Sequence, residues 1–521
     1  MAVACGRDFT AIVTRSGLVW AFGAGDAGQL GHRDRDHQQQ PQLVDVGDIL
    51  DDPAVMLAAG GEHTVCITRR GELWSWGAGN YGQLGHGVYQ SSLFALRMDS
   101  SVFGSALVRM VACGANHTMV LTAPGNVWTC GDGQHGQLGC GLSVHQQCTL
   151  RPVVMPSDSA GPCNIVMIAA GERFSVALGT AGGVFSWGYA KLGCLGIYAH
   201  TDQLFAPRVS EPKHVDRRAF LRGNAPFSGS TAVMIAAGKN HTVAVMSAGR
   251  PWVWGVGSDG QLGLGGQEDF YLPHQLALDN AFGCDEQVVY ATCGENHTVF
   301  LTQTGRAYTC GIGAHRALGH APNDEFSHVG NTLVPTCIAP EHFANLSIIG
   351  ASAGNAHTCL VDVYGKVYSF GTAVHHVTAF HLNNVQTLTL IPGGLGHALD
   401  TRRFVPLPTR LRLNRDEQVG VFHALALPLT LAFCMGTHPR LNGTEDASGA
   451  PVCSYAALPS DMLSRIIEAC AFCPPLHSGA THFVQRLLGN VPRKDDTGPC
   501  SRSLPPKAPC VGVQGVVDRV L

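Results

Sequence analysis

The segment AGGEHTVCITRRGELWSWGAGNYGQLGHG, Ala59 to Gly87, holds two groupings with the composition of working chemistry. His63 stands beside Thr64 and close to Cys66, the residue types of proton transfer and nucleophilic attack. Gly77, Gly79 and Gly82 spell G-x-G-x-x-G, the loop that lets backbone amides approach a pyrophosphate. A phosphate loop, however, is one turn that leads from one strand into one helix. Here the glycine triplet occurs four times intact, at Gly23, Gly77, Gly131 and Gly255, and no helical pattern follows it.

The same offsets return along the chain. Counting from Gly60, His63 lies at +3, Gly71 at +11, Trp74 at +14 and Gly77 at +17. From Gly114 the pattern yields His117, Gly125, Trp128 and Gly131; from Gly238 it yields His241, Gly249, Trp252 and Gly255. A fourth register starts at Gly6 and looser copies at Gly171, Gly294 and Gly354. The chain is therefore an internal repeat. Its glycines read as turn positions. Phe9 and Phe174 occupy the histidine slot in two copies, so that slot reads as a packed position in which an imidazole also finds a local hydrogen bond.

The elements that carry these residues follow from local pattern. Thr64 to Thr68 and Glu72 to Trp76 form a hairpin around Arg69, Arg70 and Gly71. A glycine-rich segment and a Pro-containing outer strand come next, as in QPQLVDV or RPVVM, and an apolar run such as VMLAAG leads to the next repeat glycine. Each unit is expected to be an antiparallel sheet of about four strands. Successive starts are 54, 54, 57, 67, 56 and 60 residues apart, which points to propeller blades. The fold class is all-β, a seven-bladed β-propeller with a short, partly helical C-terminal extension.

The run CGANHTMVLTAPGNVWTCGDGQHGQLG, Cys113 to Gly139, resembles the repeat of the regulator of chromosome condensation family, and the resemblance covers residues 2 to about 413. It implies a seven-bladed propeller and, among family roles, nucleotide exchange on the Ran GTPase, exchange or scaffolding in larger ubiquitin-ligase and signalling proteins, and light sensing. Fold carries over more safely than function.

Charged residues make up 14% of the chain and glycine 64 of 521, consistent with many buried short strands. A net charge of −4 offers no nucleic-acid footprint. Residues 1–10 lack the features of a signal peptide, so an intracellular location, cytoplasmic or nuclear, is expected, with no membrane association. The nineteen cysteines follow the repeat: Cys5, Cys113 and Cys293 precede repeat glycines, and Cys130 and Cys310 fill the slot of Trp76. Cys470 and Cys473 form a single C-x-x-C with no second pair, and no metal or cofactor is expected.

Departures from the repeat locate the expected partner contacts, since binding concentrates on loops held by a rigid scaffold. One is the long interval carrying Arg217, Arg218 and Arg222; another is the insertion of residues 372–394, with His375 and His376. The apolar stretch 419–436 contains G-x-x-H again and reads as a degenerate eighth hairpin, so residues 1–436 are assigned to the propeller. Ring closure has two readings: the hairpin of residues 2–23 closes against FVPLPTRLRL (residues 404–413), or the eighth hairpin closes it. A linker (437–457), an amphipathic helix (458–475) and a flexible tail (476–521) complete the chain. Leu458, Pro459, Asp461 and Leu463 resemble the opening of an F-box.

Three function classes stay open: a non-enzymatic, monomeric scaffold that binds a protein partner, a guanine-nucleotide exchange factor for a Ran-like small GTPase, and a substrate receptor of a ubiquitin ligase. No catalytic residues are assigned. Twelve repeat residues are assigned structural roles: Gly60, His63, Gly71, Trp74, Gly77, Gly114, His117, Gly125, Gly131, Gly238, His241 and Gly255.

Overall fold

A computed structural model describes residues 2–14, 16–44, 52–158, 161–197, 208–215, 231–277, 282, 286–313, 316–320 and 330–371. The loop of Arg217, Arg218 and Arg222 lies outside the described residues. So do His375 and His376, residues 404–413, the eighth hairpin and the expected linker, helix and tail.

Among the described residues seven antiparallel blade sheets follow one another along the chain, each built from consecutive strands, and a separate two-stranded sheet, Ser157–Asp158 with Gly161–Pro162, lies between the third and fourth. Blade 1 has an inner strand Ala2–Cys5, a second strand Phe9–Val13, a third Val19–Gly23 and an outer strand Gln38–Leu43. Blade 2 repeats this with Ala54–Ala59, His63–Thr68, Leu73–Gly77 and Ser92–Arg97. In blade 7, Ile348–Ala353, His357–Asp362 and Val367–Gly371 are the described strands.

Hydrogen bonding corrects the phase of the unit. The apolar run before each repeat glycine pairs with the hairpin that follows it, as Ala59 pairs with Thr64 and Leu57 with Cys66. A blade therefore starts at the apolar run, and the repeat glycine sits inside it as the turn between the inner and second strands. The outer strands do contain the prolines that suit an edge: Pro41, Pro152, Pro212, Pro273 and Pro335.

The second and third strands are buried along their whole length in blade 2, polar residues included. Both faces of these strands are covered by neighbouring blades, so threonine and serine must find partners inside the stack.

The inner strands stand side by side in a closed circle, and Ala2–Cys5 of blade 1 meets Ile348–Ala353 of blade 7. A circle of backbone hydrogen bonds runs around one mouth of the central channel. The amide after each repeat glycine donates to the next blade: Arg7 to Gly60, Gly61 to Ala115, Ala115 to Glu172, Glu172 to Lys239, Lys239 to Gly294 and Glu295 to Gly354, all at 3.1–3.3 Å. The Asn355 amide donates to the Arg7 carbonyl at 3.1 Å and completes it. The hairpin of residues 2–23 thus belongs to a complete four-stranded blade that seals the ring by packing on blade 7. Among the described residues no helix is long and apolar enough to cross a membrane.

Candidate functional site

The repeat histidines lie in the seams between blades. His63 Nε2 is 2.9 Å from Thr118 Oγ1 in the strand His117–Thr122 of the next blade, and the Thr118 hydroxyl donates to the Gln83 carbonyl at 2.8 Å. Because the hydroxyl hydrogen is committed to Gln83, the oxygen can only accept from His63, which fixes the imidazole as the Nε2–H tautomer. The same relay runs from His117 to Ser175 to Gln137, from His241 to Thr298 to Gln261, and from His297 to Thr358 to Ala317. His357 meets Thr10 at 3.0 Å across the seam that closes the ring.

Burial keeps these rings neutral. Desolvation pulls His63, His241 and His357 down to about 4, and His117 and His297 to about 3. Each Nδ1 is buried and meets no hydrogen-bond donor among the described residues. The ring lies flat on the repeat glycine: a Cβ at Gly60 would come within 2.2 Å of His63 Cε1 and 2.6 Å of the Gly114 carbonyl oxygen. Gly114 and Gly238 cradle His117 and His241 in the same way, and Gly6 cradles Phe9. A neutral imidazole with one nitrogen committed and the other sealed off performs no proton transfer at neutral pH.

The glycine loop serves the same seams. Gln29 folds its side-chain oxygen back onto the Ala27 amide, while its carbonyl accepts from both Thr64 Oγ1 and Trp76 Nε1 of blade 2. Gln137 and Cys194 receive the corresponding pairs, Ser175 with Trp187 and Thr242 with Trp254. Where cysteine replaces the tryptophan, Cys130 and Cys310 reach the Gln83 and Gln261 carbonyls at 3.6 Å. Gly77 has φ +99°, and a Cβ there would lie 2.4 Å from the Glu62 carbonyl oxygen, so only glycine fits this crossing. Gly131 and Gly255 cross at the corresponding places, and Gly71 and Gly125 close hairpin turns. Trp74 is buried against the apolar core of blades 1 and 2.

Two features were missed by sequence reasoning. One is the hydroxyl at +4, whose signal is the Thr or Ser that follows every repeat His or Phe. The other is the channel mouth, where residues after the repeat glycines carry paired charges: Arg7 with Glu62 at 3.8 Å, Arg173 with Glu172 at 3.2 Å, and Lys239 with Glu295. The channel holds an open cavity of about 590 Å³, lined by Met56, Met110, Met167, Tyr290 and the small residues of the inner strands, with Arg7, Glu172, Lys239 and Glu295 at its mouth. Among the described residues no group of three His, Cys, Asp or Glu side chains is placed to hold a metal ion.

The RCC1-like domain matches residues 48–424, and the regulator of chromosome condensation (RCC1) repeat matches residues 2–29 and 16–67. The chain belongs to the RCC1 repeat family. Over 374 residues it is 29% identical to the ultraviolet-B receptor UVR8 of Arabidopsis thaliana, covering 71% of this chain and 76% of that protein. It is 31% identical over 301 residues to the human E3 ubiquitin-protein ligase HERC2, covering 57% of this chain but 6% of HERC2. Prp20p of Saccharomyces cerevisiae superposes with a TM-score of 0.59 at 21% identity, over 78% of this chain and 86% of that one. That likeness concerns the fold alone. RCC1 repeats here build blades whose recurring histidines, hydroxyls and glycines serve the joints between them.

Proposed function

We propose that this RCC1-repeat protein is a non-enzymatic scaffold, intracellular and working in the cytoplasm or nucleus, whose propeller presents loops to a protein partner. The observation that carries this reading is the commitment of the repeat chemistry to the seams: five neutral histidines, each tied to a hydroxyl of the next blade. The contact residues we assign are Arg217, Arg218 and Arg222 and, in the seventh-copy insertion, His375 and His376. Replacing the three arginines with alanine should weaken capture of an identified partner and leave thermal unfolding unchanged. Capture should also weaken as salt rises, because exposed charges are screened beyond about 8–10 Å at physiological ionic strength.

Exchange on a Ran-like GTPase is the second reading, supported by membership of the RCC1 repeat family, in which that role occurs; Prp20p, alike in fold, is described by its binding to Gsp1p and histones. The discriminating assay is release of labelled GDP from a panel of small GTPases. A scaffold leaves release at its intrinsic rate, whereas acceleration by catalytic amounts of this protein, lost when residues 373–392 are trimmed, establishes exchange in its place.

A further inference from the structure

The seam that closes the ring differs from the other six in one respect. At each seam the slot before the repeat glycine shares a buried apolar cluster with the slot five residues after the repeat glycine of the preceding blade. The pairs across the other seams, written first slot then second, are Ala59 and Ala11, Cys113 and Val65, Ala170 and Met119, Ala237 and Val176, Cys293 and Val243, and Ala353 and Val299. At the closing seam both slots are cysteine: Cys5 of blade 1 and Cys359 of blade 7.

The two thiols share one buried cluster with Ile12, Phe22, Val361 and Val367. Thr10 Oγ1 lies 4.0 Å from each sulfur. Cys5 is moored on Ser352, its amide donating to Ser352 Oγ at 2.9 Å and its thiol to the Ser352 carbonyl at 3.5 Å. Ser352 is itself the cross-strand partner of Cys359. Cys359 is fully buried, but Cys5 forms part of the wall of the central cavity, which gives a small molecule a route to the pair. Both cysteines are free thiols.

We propose that Cys5 and Cys359 are a peroxide-oxidisable pair whose disulfide locks the propeller ring covalently. Hydrogen peroxide supplies the oxidising equivalents: one sulfur attacks peroxide, the O–O bond breaks, and a sulfenic acid forms with release of one water. The second sulfur displaces the hydroxyl as another water and the S–S bond forms. Two thiols and one peroxide thus become one disulfide and two waters. Hydrogen bonding, chiefly with Cys5 and then with Ser369 and Thr10, holds the Cys359 thiol below its ordinary value, whereas burial pushes Cys5 up.

The bond would join residues 354 positions apart, at the point where first and last described blades meet. A cross-link over so long a loop restricts the unfolded chain strongly. In the reduced protein this seam is held by hydrogen bonds and packing alone.

The repeat supplies variants that should fold: Cys5→Ala copies Ala59, and Cys359→Val copies Val65. The full chain is treated with hydrogen peroxide, alkylated and digested without reduction, and its cross-linked peptides are identified by mass spectrometry. We expect a Cys5–Cys359 link in the wild type, absent from both variants, and a melting midpoint raised by about 5 °C or more and restored by dithiothreitol. Absence of that link at peroxide concentrations that oxidise other cysteines overturns the proposal. So does a link that leaves the midpoint unchanged, or an equal rise in either variant.

Discussion

At the scale of single residues, the seam histidines explain how a chain with a charged fraction of 14% can bury so many polar groups. Each imidazole joins two blades by donating one hydrogen bond and by lying flat on a glycine. Phe9 and Phe174 keep the second contribution without the first. His63→Phe should therefore cost about 1–2 kcal/mol, read as a modest fall in melting midpoint. Gly60→Ala should cost more, about 3 kcal/mol or above, because its new methyl group overlaps both the His63 ring and the Gly114 carbonyl. The histidines also set an acid limit. Folded values near 3 to 4 against an ordinary 6.5 mean that the unfolded chain takes up protons first. Stability should be full above about pH 6.5 and fall through the range down to about 4, by roughly 1.4 kcal/mol per seam histidine for each pH unit. Thermal melts across that range should show the loss, and His63→Phe should make it shallower.

At the scale of elements, the strand, the turn and the glycine loop were legible because each has a local period or a local residue requirement. The alternation of Thr64 to Thr68, the turn at Gly71 and the glycine crossing at Gly77 all occupy the places their spacing indicates. The phase of the blade was not legible. A cyclic repeat reads the same from any starting point, and only the pairing of Ala59 with Thr64 shows that the apolar run opens a blade. The seam partners were hidden for a different reason: Thr118 lies 55 residues from His63, and its role depends on the carbonyl of Gln83 in a third segment. That shared carbonyl yields its own test. Trp187→Phe removes the indole donor to Gln137 and leaves Ser175 as the partner of that carbonyl. A loss of about 1–2 kcal/mol is expected, with amides of the strand Val184–Tyr189 exchanging hydrogen faster.

At the scale of the whole molecule, the closing joint is built like four of the other six. Blade 1 meets blade 7 through the same histidine–hydroxyl contact and the same backbone hydrogen bond that join other neighbours. Deleting residues 2–23 removes three of the four strands of blade 1 and leaves the facing blades uncovered, so aggregation or loss of cooperative unfolding is expected. The central claim is that the recurring histidines are joints and not reactive groups. The most direct test is two-bond proton–nitrogen NMR of the full chain labelled with ¹⁵N-histidine, followed from pH 8 down to the onset of acid unfolding and assigned with single His→Phe variants. The account predicts that His63, His117, His241, His297 and His357 remain neutral Nε2–H tautomers throughout. Titration of any of them near 6.5, or an Nδ1–H tautomer at neutral pH, would contradict it.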